Sequence, residues 1–118
     1  IIACGETVYP ALEAARKLAE EGIRVAVVSM HTIKPLDTEL LTKLAHQCKA
    51  IVTVEEHSIY GGLGEACAAY LMQHNLHKPF AIMGIPDEYT VTGSQVDIFN
   101  HYGINKDGIA EKVRNLLK

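Results

Sequence analysis

The chain has 118 residues, 48% of them hydrophobic, and a formal net charge of −3. That suits one globular domain with a real core. No apolar run approaches the ~20 residues of a membrane span, and the scattered Lys and Arg form no stripe for a nucleic-acid backbone. Cys4, Cys48 and Cys67 are odd in number and lack a Cys-x-x-Cys pair, which argues against a disulfide framework or a structural zinc site and fits a reducing cytoplasm.

In chain order, Ile1–Cys4 is a short apolar run that predicts a strand. It has no polar approach and no signal-peptide pattern before it, so the chain reads as a fragment of something longer. Gly5-Glu6-Thr7 offers a turn, with Thr7 as the expected N-cap. Val8, Leu12, Ala15 and Ala19 follow at helical spacing, and Pro10 falls in the first turn, where its missing N–H does no harm. Gly22 stands where that helix should stop. Within Arg24–Met30 the continuous Val25-Ala26-Val27-Val28 predicts a strand buried on both faces.

Lys34-Pro35-Leu36-Asp37 breaks the chain, and Asp37 is placed to cap a helix whose apolar face is Leu40, Leu41, Leu44, Ala45 and Cys48. Ala50–Val54 predicts the third strand, Glu55–Gly62 a loop, and Leu63, Ala66, Cys67, Tyr70 and Leu71 one side of the next helix. Phe80–Ile85 predicts the fourth strand, ended by Pro86. Two short helices close the chain, around Ser94–Tyr102 and Lys106–Leu117, divided by Gly103 with Asn105 as a cap. Strands alternating with helices imply an α/β fold: right-handed crossovers and a mostly parallel sheet covered on both faces. A folded core accounts for most of this periodicity.

The densest group of chemistry-bearing residues is Glu55-Glu56-His57-Ser58-Ile59-Tyr60-Gly61-Gly62-Leu63-Gly64. It joins the C-terminal end of a strand to a helix start, where ligands bind in open α/β sheets. Gly62-x-Gly64-x-x-Cys67 approximates a dinucleotide fingerprint, and Asp87 after the next strand could meet a ribose. Against this, Cys67 replaces the third glycine, the loop from Val54 to Gly62 is long, and Glu55 and Glu56 would repel a pyrophosphate. Glu55, Glu56 and His57 could also serve as acid–base groups or metal ligands. A hydrogen-bonded loop anchor is favoured, because one loop supplies neither a nucleophile nor an oxyanion donor. Glu55, Glu56, His57, Gly61, Gly62 and Gly64 are therefore the candidate structural or anion-binding loop, with no catalytic, cofactor-binding or metal residue assigned. His74-x-x-His77 lacks further ligands for zinc; His31, His46 and His101 are isolated, and Cys4 and Cys67 fit as small buried hydrophobes.

Three segments carry a family resemblance: Val27-Val28-Ser29-Met30-His31-Thr32-Ile33-Lys34-Pro35-Leu36-Asp37, then Val52-Thr53-Val54-Glu55-Glu56-His57, then Gly61-Gly62-Leu63-Gly64-Glu65-Ala66. Together with Gly84-Ile85-Pro86-Asp87 and Tyr102-Gly103-Ile104, they make the whole chain, 1–118, resemble the C-terminal domain of transketolases. Two relatives share much of the pattern: 1-deoxy-xylulose-5-phosphate synthase and the beta subunit of 2-oxoacid dehydrogenases, where the domain can have a docking role.

The resemblance implies a three-layer α/β/α sandwich with the first strand between the second and third and the fourth beyond the third. A further antiparallel strand is implied before Ile1. It also implies a parent enzyme that moves a two-carbon ketol unit between sugar phosphates in the pentose phosphate pathway, as a cytoplasmic homodimer. That parent uses thiamine diphosphate with magnesium or calcium, held by catalytic domains or an N-terminal subunit. No cofactor is expected in this fragment, which has no Gly-Asp-Gly turn followed by an Asn. The domain is then structural and dimer-supporting, inactive alone, with neither nucleic acid nor membrane as a partner. The rival of another class is a stand-alone nucleotide-binding module.

Overall fold

The computed structural model describes residues 1–118. Four strands, β1 (Ile2–Ala3), β2 (Val28–Ser29), β3 (Ile51–Ser58) and β4 (Phe80–Ile85), form one sheet in the order β2-β1-β3-β4. Every neighbouring pair is parallel. Parallel neighbours need a crossover, and each crossover carries a helix: α1 (Val8–Glu20), α2 (Thr38–Gln47) and α3 (Leu63–Gln73). After β4 come α4 (Gln95–His101) and α5 (Lys106–Leu116).

Two cores result, one on each face of the sheet. Ala11, Ala14 and Leu18 of α1 pack with Ile109, Ala110 and Val113 of α5 over Ala3, Val52, Val54 and Met83. On the opposite face Leu41, Leu44 and Ala45 of α2 pack with Leu63, Cys67 and Leu71 of α3 over Ile2 and Ile51. Successive strand residues point to opposite faces, so Ile2 and Ala3, or Ile51 and Val52, divide between the cores. This is the expected three-layer α/β/α sandwich.

Local chemistry sets the helix limits. Asp37 accepts from Leu40 N at 3.0 Å and Asn105 from Gly108 N at 2.8 Å, both as side-chain N-caps. Ser94 and Asp97 make a reciprocal capping pair at the start of α4. Gly22, at φ +80°, ends α1 in the left-handed region.

Three expectations are corrected. Thr7 stands at the N-cap position of α1, but its side chain makes no capping hydrogen bond to the helix. Gly5–Thr7 forms a 3-10 turn, and the buried Thr7 hydroxyl lies 2.7 Å from Cys4 O and 2.9 Å from Val54 O, tying β1 to β3. The span Arg24–Met30 is not buried on both faces. Only Val28–Ser29 is laddered, and exposure alternates, with Val25 and Val27 partly buried and Ala26 exposed. The cause is position, since β2 is the sheet edge and pairs only with the short β1. Finally, β3 does not stop at Val54. It runs to Ser58 through residues expected to be loop.

Candidate functional site

The extension of β3 is irregular. Val54 pairs with Met83 and Ser58 with Ile85, so β3 spends four residue steps where β4 spends two. Such a bulge re-aims side chains. Glu55 keeps the face that Thr53 takes, toward Gly64 of α3, and is buried to 1% exposure, while beyond it Glu56 and His57 both face out.

Glu55 then acts as a long-range helix cap. The N-cap of α3 is Gly62, which has no side chain to offer. Glu55 Oε1 accepts from Leu63 N and Oε2 from Gly64 N, each at 2.8 Å. One buried carboxylate thus satisfies two of the orphan donors at the start of α3, and its charge sits at the positive end of the helix dipole.

Three glycines make room for it. A Cβ on Gly62 would overlap Glu55 Oε1 and come within 3.0 Å of His57 Nδ1. A Cβ on Gly64 would stand 2.5 Å from Ile82 Cγ2 and 2.7 Å from Thr53 Oγ1, so glycine lets α3 approach the sheet. A Cβ on Gly84 would meet His57 O at 2.8 Å and Glu55 Cγ at 3.2 Å, because the bulge lies over β4 there. Gly61, at φ +72°, turns the chain and donates its N–H to Glu65 Oε1 at 2.6 Å.

The candidate residues therefore separate. Glu55, Gly62 and Gly64 form one unit with His57 at its rim: His57 Nδ1–H donates to Ser58 O at 2.7 Å and lies 3.8 Å from Glu55 Oε1. Glu56 points away and accepts from Gln95 Nε2 of α4 at 3.1 Å. Gly84 belongs to the same unit, and its role went unassigned in the sequence. The signal for Gly84 was a glycine inside an otherwise apolar strand, which marks a bulge or close approach.

The neighbouring thiols are quiet. Burial pushes Cys67 up to about 12, with the Glu55 and Cys4 charges adding to it. Burial also raises Cys4, with Glu55 and Glu56 contributing. Both stay protonated near neutrality and are poor nucleophiles. His74, away from this end, stacks on Tyr70 with ring centroids 4.0 Å apart.

A diphosphate does not fit this site. The N–H groups that would bind it at the start of α3 already hold Glu55, and a second negative group would face that carboxylate with no compensating cation. No group of three or more His, Cys, Asp or Glu side chains is arranged to hold a metal ion. Neither thiamine diphosphate with its metal nor a dinucleotide is accommodated by these residues. No helix is long and apolar enough to cross a membrane.

Comparison with known proteins follows the same line. The family described as "Transketolase, C-terminal domain" matches residues 1–109. One of the subunits of the apulose-4-phosphate transketolase of Phocaeicola vulgatus is 45% identical over the whole chain, which spans 37% of that protein. The 1-deoxy-D-xylulose-5-phosphate synthase of Chlorobium luteolum is 40% identical, also over the whole chain, which spans 19% of that protein. Among solved structures, a split-gene transketolase described as an inactive beta4 tetramer superposes with a TM-score of 0.87 at 38% identity, over 98% of this chain and 37% of its own. The transketolase of Campylobacter jejuni shares the fold, with a TM-score of 0.66 at 20% identity over 97% of this chain and 16% of its own. The chain belongs to the family of transketolase C-terminal domains.

Proposed function

We propose that this chain is the accessory C-terminal portion of a transketolase that transfers a two-carbon ketol unit between sugar phosphates. The observation that carries this is the 45% identity to a transketolase subunit over every residue of the chain. The likeness to a split-gene transketolase at 38% identity supports a parent divided over two polypeptides. The partner is then the catalytic subunit, which binds thiamine diphosphate and a divalent metal. The role here is structural: Glu55 ties its charge into α3, the nearby thiols are protonated, and no second catalytic element faces the loop. Homodimerisation of the parent and a place in the pentose phosphate pathway belong to the same reading.

A second reading is favoured by the 40% identity to a 1-deoxy-D-xylulose-5-phosphate synthase. One experiment separates them. The full-length protein is reconstituted with its catalytic subunit, thiamine diphosphate and magnesium, and offered in one arm a ketose phosphate with an aldose acceptor and in the other pyruvate with glyceraldehyde 3-phosphate. Ketol transfer by the pair, and by neither subunit alone, is the expected result. Formation of 1-deoxy-D-xylulose 5-phosphate without ketol transfer would replace the first reading by the second.

A further inference from the structure

The middle of the sheet is notched at its N-terminal end. Strand β1 pairs Ile2 with Val28 on one side and with Thr53 on the other. Its neighbours reach further back. β3 begins at Ile51, and ahead of β2 the chain still runs alongside, with the Ile1 nitrogen 2.8 Å from Ala26 O. Continued in the same register, the position before Ile1 lies between Ala26 and Ile51, and the one before that between Val25 and Ala50. Those four residues line a cavity of about 480 Å³. Leu44 and Cys48, from the α2 and α3 core, line it on one face of the sheet, and Val113 and Leu116, from the α1 and α5 core, on the other.

The notch carries unmet backbone groups. In a parallel ladder alternate residues turn both N–H and C=O to the same neighbour. On β3, Ile51 N donates to Pro79 O, on the β4 side, which turns Ala50 and Val52 toward β1. Cys4 N, bonded to Val54 O, follows the same alternation. On the other wall Ala26 and Val28 face β1, through Ile1 N to Ala26 O and Val28 N to Ile1 O. The Ala50 C=O and the Ala26 N–H thus point into the notch, and neither has a hydrogen-bond partner in the protein. Backbone groups at strand spacing, between two apolar layers, are the setting of a buried parallel strand.

We infer that the residues preceding Ile1 in the full-length chain enter this notch and lengthen β1 by about two residues, parallel to both neighbours. The inference holds for either reading of the function, since it needs only the family. That family is one of C-terminal domains, and the chain spans 37% of the similar subunit from Phocaeicola vulgatus. In such a protein most of the polypeptide comes before the part matched. Width selects the occupant. Neighbouring strands lie about 4.8 Å apart, so the space between the flanks of β1 admits one strand and no second copy's edge. A small apolar ligand would leave the Ala50 C=O and the Ala26 N–H unmet. Alternation then assigns the side chains. Ile1 packs on the α1 and α5 core and Ile2 lies in the α2 and α3 core. The residue before Ile1 therefore faces Leu44 and Cys48, and the one before it faces Val113 and Leu116, so both are expected to be apolar. This lengthening of β1 is distinct from the antiparallel strand that the resemblance implies. It makes the joint to the rest of the polypeptide a central strand in place of a loose linker.

The test uses the full-length protein. In hydrogen exchange read residue by residue, the N–H of Ala26 and that of the residue before Ile1 should exchange at least about 100-fold slower than the amides of Asp87–Gly93. Lysine is then placed in turn at each position before Ile1 and urea unfolding is measured. At the two nearest positions, where its charge is buried, the ratio of folded to unfolded domain should fall about 100-fold. At the third, beside the exposed Arg24 and Lys49, the loss should be far smaller. The exchange measurement needs no variant, so a lysine variant that fails to fold leaves it intact. Fast exchange at both N–H groups would overturn the inference, as would lysine tolerated at both nearest positions. Protection that grows with protein concentration would assign the notch to a second copy. Protection that appears only on adding an apolar probe, anilinonaphthalene sulfonate, would assign it to a ligand. Either result overturns the inference. None of these outcomes depends on ketol transfer, so the proposed function stands or falls separately.

Discussion

Two connections leave the same end of the sheet and are built in opposite ways. The one from β3 to α3 bends a carboxylate inward, uses it to cap a helix and surrounds it with glycines. The one from β4 to α4 leaves most of its side chains exposed and has one internal backbone bond, Glu88 N to Pro86 O, over residues 86–94. The first is a self-contained structural joint whose parts satisfy one another. The second makes little use of bonds within itself. A glycine-rich loop at a strand end is thus no guide to binding here, because its own chain already occupies it.

The largest expected effect breaks the joint. Glu55→Ala strands the N–H groups of Leu63 and Gly64 in a buried place and should destabilise the domain by about 3 kcal/mol. Urea unfolding checks this. Glu55→Gln keeps the shape but presents an NH2 where an acceptor is needed, so its loss should be nearly as great. A loss below about 0.5 kcal/mol for Glu55→Ala would mean that water replaces the carboxylate, and the contrast between the two connections would collapse.

Next are the glycines, which resolve how the joint is built. Gly64→Ala drives a methyl group into Ile82 and Thr53 and should cost about 2 kcal/mol by overpacking. Gly62→Ala should cost a similar amount, through its overlap with Glu55. A double-mutant cycle separates them. With Glu55→Ala already present, the cost of Gly62→Ala should largely vanish and that of Gly64→Ala should persist. Equal coupling of both glycines to Glu55 would show that α3 moves as a whole.

The open connection should behave in the reverse sense. Tyr89→Ala and Glu88→Ala remove exposed groups and should change stability by less than about 0.5 kcal/mol. Limited proteolysis of the free domain should cut first within Asp87–Gly93, where the backbone has least to lose. First cleavage between Glu55 and Gly62 would invert the comparison.

Much of this could be read from the sequence, for physical reasons that differ by element. Phe80–Ile85 and the caps Asp37 and Asn105 were legible because their determinants are local: an apolar run ended by proline, and an oxygen three residues before the N–H it accepts. The sheet order came through the resemblance of the three motif segments. Arg24–Met30 was misread as fully buried because four apolar residues in a row do not say which strand is the edge. Thr7 carries a capping residue's sequence signature, but its hydroxyl is spent on Val54, 47 residues away. The bulge in β3 was invisible, since it arises from register against β4 and from room that Gly84 provides. A carboxylate bonded to backbone N–H groups was expected of Glu55 or Glu56; the alternation of β3 past Thr53 gives the inward place to Glu55.

Cys67 reports on the joint from inside. Its thiol is pushed up to about 12 chiefly by burial and secondarily by Glu55. It should resist iodoacetamide at pH 8 in the folded protein and react on unfolding. In Glu55→Ala, reactivity should rise by the factor that the unfolded population rises, because burial still dominates. Fast labelling of the native protein would show that the α3 packing opens locally.

The smallest effect comes from two exposed carboxylates, which calibrate Glu55 by contrast. Glu21 accepts from Arg114 at 2.8 and 2.6 Å across α1 and α5, and Asp107 pairs with Lys17 across the same helices. The hydrogen bond from Arg114 holds the Glu21 carboxyl below its ordinary 4.5, and that from Lys17 holds Asp107 below 3.8. A depressed folded value means that the unfolded chain binds the proton first. The stabilisation is therefore complete above the ordinary values and is lost as pH falls through the depressed ones. Because these groups meet solvent and salt, the amount is small. The urea midpoint of Arg114→Ala should lie slightly below that of the unsubstituted domain at pH 6 and approach it as pH falls through the depressed Glu21 value, with the gap at pH 6 narrowing in high salt. A gap at pH 6 as large as that of Glu55→Ala would show that a solvent-exposed pair on the helical face matters as much as the buried cap.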